Sequence, residues 1–309
     1  MTVVNTNIAE TINITTNGEY NVARYTTANV NTPAAPAHYI EFNVDGNGKA
    51  QYSSQIADFT GITDIIDYLF AYQYWGNTAI SGAVDMSDLT TISGQSACRY
   101  MFDGCTGITI VDLSSLTTIS GQSACRYMFD SCTGITIVDL SSLTTISGVS
   151  ACQYMFQYCT GITSVDLSGL TTISGNQACQ YMFSDCTGIT SMDLSSLTTI
   201  SGNQACQTMF YGCTRITSVD LSSLTTISGG SACTSMFYGC TSLATVYIGG
   251  TIAIDFGTYT NQFDSMFFGC TQNIDVYAPA ANQTQIESFS GYPNFGGTGT
   301  VTWHWNTAE

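Results

Sequence analysis

CRYMFDGCTGITIVDLSSLTTISGQSA, residues 98–124, returns with few changes from Cys125, Cys152, Cys179, Cys206 and Cys233, a strict period of 27 residues. A fixed period of this length marks a stacked array in which each copy is one supersecondary unit. Partial copies flank the block, from about Ala83 on one side and from Met266 to Val276 on the other. Within a copy, Val111 and Leu113 alternate with Asp112, the rhythm of a strand with one buried and one exposed face. Ala97, Cys98, Met101, Phe102 and Cys105 fall at i, i+1, i+4, i+5 and i+8, which predicts a short helix with one apolar face. Between them Leu116 and Ile119 lead to Ser120-Gly121, read as a turn with an awkward backbone.

One such coil cannot bury its own apolar stripe. Stacking equivalent coils closes a continuous core and pairs each strand with the next in a parallel sheet. The fold class is thus an α/β solenoid of strand-turn-helix coils, with strands expected at Asp85, Asp112, Asp139, Asp166, Asp193, Asp220, Tyr247 and Asp275. At a strand spacing of about 4.8 Å the stack would run to roughly 34 Å.

The string Phe102, Gly104, Cys105, Ile108, Val111, Leu113, Leu116, Ile119, Gly121, Ala124 resembles the BspA-like leucine-rich repeat over about residues 79–278. It departs from the shorter family unit by about one extra turn, Cys125 to Met128, between Ala124 and Phe129. The resemblance implies a leucine-rich-repeat array of the kind displayed on bacterial, protist and some viral surfaces.

The flanks have a different texture. Residues 1–50 alternate apolar and polar side chains around Asn17-Gly18, a hairpin signal, which predicts a small β-rich attachment module. The stretch Ile12 to Val30 resembles short modules of phage tail and head-fibre proteins. Residues 51–82 read as an N-terminal capping coil plugged by Tyr68, Phe70, Tyr74 and Trp75, 83–248 as the repeat solenoid, and 249–309 as a C-terminal capping coil with a last strand bearing Trp303 and Trp305.

The 309 residues carry 22 acidic against 5 basic side chains, a formal charge of -17. That charge repels nucleic acid and anionic membranes, so neither is expected as a partner. No stretch is apolar for long enough to span a bilayer, and Met1 is not followed by a basic segment and apolar core, so neither membrane insertion nor a signal peptide is expected.

Three sets of side chains recur in file. Cys98, Cys105, Cys125, Cys132, Cys152, Cys159, Cys179, Cys186, Cys206, Cys213, Cys233 and Cys240 form two columns on the apolar face. They read as buried reduced thiols, with some bridges between coils or a metal as the alternatives. Asp85, Asp112, Asp139, Asp166, Asp193 and Asp220 line the exposed strand face, where neighbours about 5 Å apart repel by roughly 1–3 kcal/mol. A ladder of that kind leans on nearby hydroxyls such as Ser114, binds calcium weakly, or meets a basic partner. On the helix side the copies differ from one another, and Tyr100, Tyr127, Tyr154, Tyr158, Tyr181, Tyr211 and Tyr238 make a candidate ligand-binding strip, set against drift of unconstrained positions.

Catalysis finds little support, because His38 and His304 are the only histidines and neither belongs to a nucleophile or metal-ligand motif. No catalytic residue and no cofactor beyond weakly bound calcium is expected. The resemblance of residues 12–30, with no export signal expected, implies a phage virion structural protein, a head or tail fibre or decoration, assembled in the host cytoplasm and displayed on the virion surface. It would contact other virion proteins through the N-terminal module, contact a host surface protein or glycan through the solenoid, and form a homo-oligomer. A bacterial cell-surface adhesin and a purely structural spacer are the alternatives.

Overall fold

The computed structural model describes residues 59, 61–65, 67, 70–249 and 261–306, together with the backbone of five N-terminal strands, Thr2–Val4, Thr11–Asn13, Glu19–Tyr25, His38–Val44 and Ala50–Tyr52. Asp and Val of each IVD-type segment sit in parallel register with their copies one coil away: Val111 opposite Val138, Asp112 opposite Asp139, Asp139 opposite Asp166. These strands form a four-stranded sheet, Ser81–Asp85 to Ser164–Asp166, and a five-stranded sheet, Ser191–Asp193 to Val301–Asn306. All eight expected strand positions fall on strands of these two sheets.

A second ladder was not foreseen. The Thr-Ile pairs of successive coils, from Asp64–Ile65 to Thr226–Ile227, build a seven-stranded parallel sheet of two-residue strands. Ile119 and its equivalents point into the core, while the threonine two residues before each stitches the coils. The Thr117 hydroxyl donates to the Thr90 carbonyl at 3.0 Å, and Thr144, Thr171, Thr198 and Thr225 repeat the bond. β-Branched residues favour this pleated setting, and each hydroxyl that replaces water there satisfies a carbonyl.

The predicted helix is not formed. Residues 96–105 instead make a ribbon of successive turns in which hydrogen bonding is divided between the coil and its neighbour. The N–H groups of Arg99, Met101 and Cys105 donate locally to the carbonyls of Ser96, Cys98 and Phe102, three residues back. Those of Ser96, Cys98, Tyr100, Phe102 and Gly104 donate to Gln122, Ala124, Arg126, Met128 and Asp130 of the next coil. A helix would keep every bond within the segment; here every second amide is spent on stacking. The geometry places one residue in four in the left-handed region: Ser96, Tyr100 and Gly104, with φ of 51°, 56° and 74°, and their copies.

The Ser120-Gly121 step also needs its glycine for a different reason from the one expected. Gly121 does not appear among the positive-φ residues; a Cβ built on it would lie 2.0 Å from the Gly94 carbonyl oxygen. Close backbone approach between coils is therefore the constraint.

Inside the coils Tyr74, Phe102, Phe129, Phe156, Phe183, Phe210, Phe237 and Phe267 stack ring on ring at centroid distances of 5.0–6.1 Å. The first coil has the same turn ribbon, since Phe70 and Tyr74 donate to Ala97 and Met101. Phe70 and Tyr74 are buried there, but Trp75 is 55% exposed and does not plug the end; Tyr68 lies outside the described residues. At the other end Trp303 and Trp305 stack at 5.3 Å on the last strand, as their spacing predicts.

In the N-terminal region Glu19–Tyr25 pairs antiparallel with His38–Val44, and Thr11–Asn13 with Thr2–Val4. The strands flanking Asn17-Gly18 thus pair elsewhere rather than with each other, and Asn17 and Gly18 themselves lie outside the described residues. His38 opens a strand.

Candidate functional site

Each aspartate of the exposed column has a local partner. Asp112 accepts the N–H of Ser114 at 3.0 Å, and Asp85, Asp139, Asp166, Asp193 and Asp220 accept the amide two residues on in the same way. The carboxylate closes an Asx turn at the end of its strand. The expected support from hydroxyls comes at Asp85, where Ser87 Oγ donates at 2.7 Å, and at Asp193, while the backbone amide serves all six. At Asp193 the Ser195 hydroxyl and amide hold the carboxyl below its ordinary range. Among the described residues, no three His, Cys, Asp or Glu side chains converge as a cation site would require.

Further along the same face the column changes chemistry. Asp220 is in register with Tyr247, Tyr247 with Tyr277, and Tyr277 with His304. The rings of Tyr247, Tyr277 and His304 stack at 5.1 and 4.6 Å, and His304 Nε2 lies 2.8 Å from Asp275 Oδ1. The sequence gives no hint of this pair, because its members lie 29 residues apart and only the register joins them.

All thirteen cysteines, Cys270 included, are buried and unpaired. The two columns differ in their work. Cys105, Cys132, Cys159, Cys186, Cys213, Cys240 and Cys270 donate S–H to a turn-ribbon carbonyl of the preceding coil, Cys132 to Phe102 at 2.9 Å. Cys179, Cys206 and Cys233 pack as small apolar groups, while the thiols of Cys98, Cys125 and Cys152 hydrogen-bond to one another along their column. Burial pushes the thiols of Cys213 and Cys233 up to about 12, so neither is a ready nucleophile or metal ligand.

The tyrosines are the feature that the ribbon assembles most completely. Tyr72, Tyr100, Tyr127, Tyr154 and Tyr181 stack at 4.9, 4.7, 4.6 and 4.9 Å, the first four contacts of one file. At the next coil Thr208 takes the equivalent place, and the file steps sideways through a tilted contact of 6.3 Å to Tyr211, then to Tyr238 and Phe268. Of the seven candidates, six belong to this file; Tyr158, 47% exposed, stands outside it. Tyr72 and Phe268 extend it and were not foreseen, since they lie in atypical end coils. The six inner tyrosines are half-buried and the end rings Tyr72 and Phe268 exposed, and burial raises the phenols of Tyr127, Tyr154 and Tyr211. Because their faces cover one another, they offer ring edges and hydroxyls to a partner.

Two acids lie beside the file. Desolvation lifts the Asp103 carboxyl, against a hydrogen bond from Trp75. Desolvation with the neighbouring Asp103 charge lifts Asp130 to about 7.

A family model described as the BspA type leucine rich repeat region matches the sequence in six copies, over residues 63–205 and 153–288. No curated protein matches. Among solved structures, a chain of the Drosophila complex titled "Structure of the Toll - Spatzle complex, a molecular hub in Drosophila development and innate immunity (glycosylated form)" is similar at 17% identity and a TM-score of 0.34; the match covers 77% of this chain and 33% of that one. The protein thus spans about a third of that chain. No helix among the described residues is long and apolar enough to cross a membrane. The two overlapping family matches take in well over half of the sequence, and with its coils in register they show that this chain belongs to the BspA-type leucine-rich-repeat family.

Proposed function

We propose that the protein is a non-enzymatic recognition protein, displayed on a surface, that holds a protein or glycan ligand on its turn-ribbon face. The observation that carries this reading is the tyrosine file, eight rings counting Phe268, running from coil to coil. Its side chains are already fixed by stacking, so a partner that meets them loses little rotamer entropy. Tyrosine supplies apolar contact and a hydrogen-bonding hydroxyl together, which suits an interface that is wet on one side.

The file can be cut without foreign chemistry, because other coils show what each position tolerates. Thr208 occupies the place of Tyr181, and Ser184 that of Tyr211. The double variant Tyr181→Thr, Tyr211→Ser is expected to keep its fold by circular dichroism and to lose about tenfold or more in adhesion to host cells. Undiminished adhesion by the folded variant sinks the reading.

Within this function the virion role is a narrower proposal: a head or tail fibre or decoration whose N-terminal strands dock to other virion proteins as a homo-oligomer. The antiparallel strands in residues 2–52 are separate in kind from the parallel coils, which supports an attachment role. A bacterial cell-surface adhesin fits the family equally well. Mass spectrometry of purified virions and of bacterial envelope fractions separates the two, and detection in the envelope alone removes the virion. Weak calcium binding along the aspartate column is a further proposal, decided by whether a chelator lowers the melting temperature.

A further inference from the structure

Arg99 and Arg126 hold the same position in neighbouring coils, immediately before Tyr100 and Tyr127 of the file. Each guanidinium carbon lies 5.1 Å from the ring centroid of the tyrosine that follows it. In the next three coils the position is Gln153, Gln180 and Gln207, and these side chains satisfy one another: Gln153 Nε2 donates to Gln180 Oε1, and Gln180 Nε2 to Gln207 Oε1. The arginines have no such arrangement. The Nε of each is shut off from solvent without a hydrogen-bond partner, and among the described residues neither guanidinium has a carboxylate within ion-pair distance.

Two guanidinium groups one coil apart, about 4.8 Å, repel each other unless something negative lies between them. The protein has acid to spare, 22 carboxylates against 5 basic side chains, yet among the described residues it brings none within ion-pair distance of either guanidinium; Asp103 and Asp130 lie beside the file without pairing with them, and desolvation lifts both carboxyls. The Arg126 charge also acts on the phenol oxygens of Tyr127 and Tyr154, so guanidinium and hydroxyl donors share one spot. Arginine donors converging with hydroxyls are the chemistry that takes up carboxylate and sulfate.

We propose that Arg99 and Arg126, with the hydroxyls of Tyr127 and Tyr154, form a site for a single oxyanionic group, carboxylate or sulfate, borne on an otherwise neutral glycan. This rests on the turn-ribbon face being the recognition surface. Net charge selects the kind of ligand. A polyanion such as nucleic acid or a densely sulfated chain meets the field of a protein at -17 and is repelled. A sugar with one acidic group meets the two cations and sets its hydroxyls against the partly exposed polar side chains beside them, such as Gln157.

The test titrates full-length protein with sialyllactose and with sulfated galactose, using lactose, galactose and a phosphoserine peptide as comparators, by saturation-transfer NMR. The arms distinguish a carboxylate-bearing from a sulfate-bearing sugar. Arg99→Gln, Arg126→Gln extends the glutamine ladder already present, so it is expected to melt like the parent; Arg126→Gln alone, next to Gln153, serves should the double variant not fold. The expected result is saturable binding of an acidic sugar that weakens about tenfold or more in the variant, with the neutral sugars not bound. Equal binding of lactose, preference for the phosphopeptide, unchanged affinity in the folded variant, or no binding of either acidic sugar overturns the site. Loss of adhesion in the tyrosine variant without acidic-sugar binding overturns this inference alone. Acidic-sugar binding with adhesion indifferent to the tyrosines overturns the wider reading alone.

Discussion

A methyl group on Gly148 would sit 2.2 Å from the carbonyl oxygen of Gly121, and the same contact recurs for Gly121, Gly175, Gly202 and Gly229. The obstacle is backbone fixed by its own coil, so it cannot swing aside as a side chain would. Gly148→Ala is therefore expected to destabilise by about 2 kcal/mol or more, read as a lower denaturant midpoint; an unchanged midpoint would mean that coils slide apart more easily than their hydrogen bonds suggest. Asp130 is a second residue held against its preference. Its carboxyl is raised from 3.8 to about 7 by desolvation and by Asp103, so the folded state binds the proton more tightly than the unfolded state. Stability then falls as pH rises between those two values, and the cost is complete above the higher one. Asp130→Asn removes the cost: a gain of about 1–2 kcal/mol at pH ~8, after allowance for solvent screening, is expected to shrink toward nothing near pH ~4. A gain that does not vary with pH would assign the effect to packing instead.

At the scale of the element, the turn ribbon decides what circular dichroism reports. The described helices are Ala280–Asn282 and Gln283–Glu287 alone, so the spectrum is expected to lack the helical double minimum despite the many apolar segments with helix-like spacing. A strong helical signature would contradict the ribbon. The misreading of residues 96–105 has a definite cause. Apolar groups at 97, 98, 101, 102 and 105 fit a repeat of 3.6 as well as one of 4.0, and nine residues are too few for the two to part. The signal that separates them is the residue in the left-handed region: Ser, Tyr or Gly at 96, 100 and 104 marks every fourth place, where a helix would have no reason to vary composition. The IVD strands were legible because their alternation is unambiguous. The Thr-Ile strands were not, because two residues carry no period of their own and become strands only through their neighbours. The tyrosine file was legible as positions but not as a stack. Its sidestep from Tyr181 to Tyr211 crosses 30 residues rather than 27, and a register argument alone does not follow it.

Across the whole molecule the coils repeat closely enough that a single departure stands out. The IVD ladder is continuous from Ser81–Asp85 to Ser164–Asp166 and again from Ser191–Asp193 onward, but those two strands do not pair. On either side the leucine after the aspartate donates to the next aspartate's carbonyl, Leu140 to Asp166 at 3.1 Å and Leu194 to Asp220 at 3.0 Å; the equivalent bond from Leu167 to Asp193 is not made. The gap coincides with Met192, where the neighbouring copies carry Val138, Val165 and Val219, and Val165 beside it is only partly buried. A longer, unbranched side chain in a slot shaped for valine props the strand away from its neighbour. The Thr-Ile ladder runs through unbroken, with Thr172 opposite Thr199, so the stack opens on one side while the other holds. In an array where each coil touches only its neighbours, the weakest interface sets where unfolding begins. The Leu167 amide is accordingly expected to exchange with deuterium faster than Leu140 and Leu194. Met192→Val is expected to slow that exchange toward the others and to add stability on the order of 1 kcal/mol for the restored bond, read as a higher melting temperature. Exchange at Leu167 as slow as at its equivalents in the parent protein would show that the strands close in solution, and the array would then unfold from its ends.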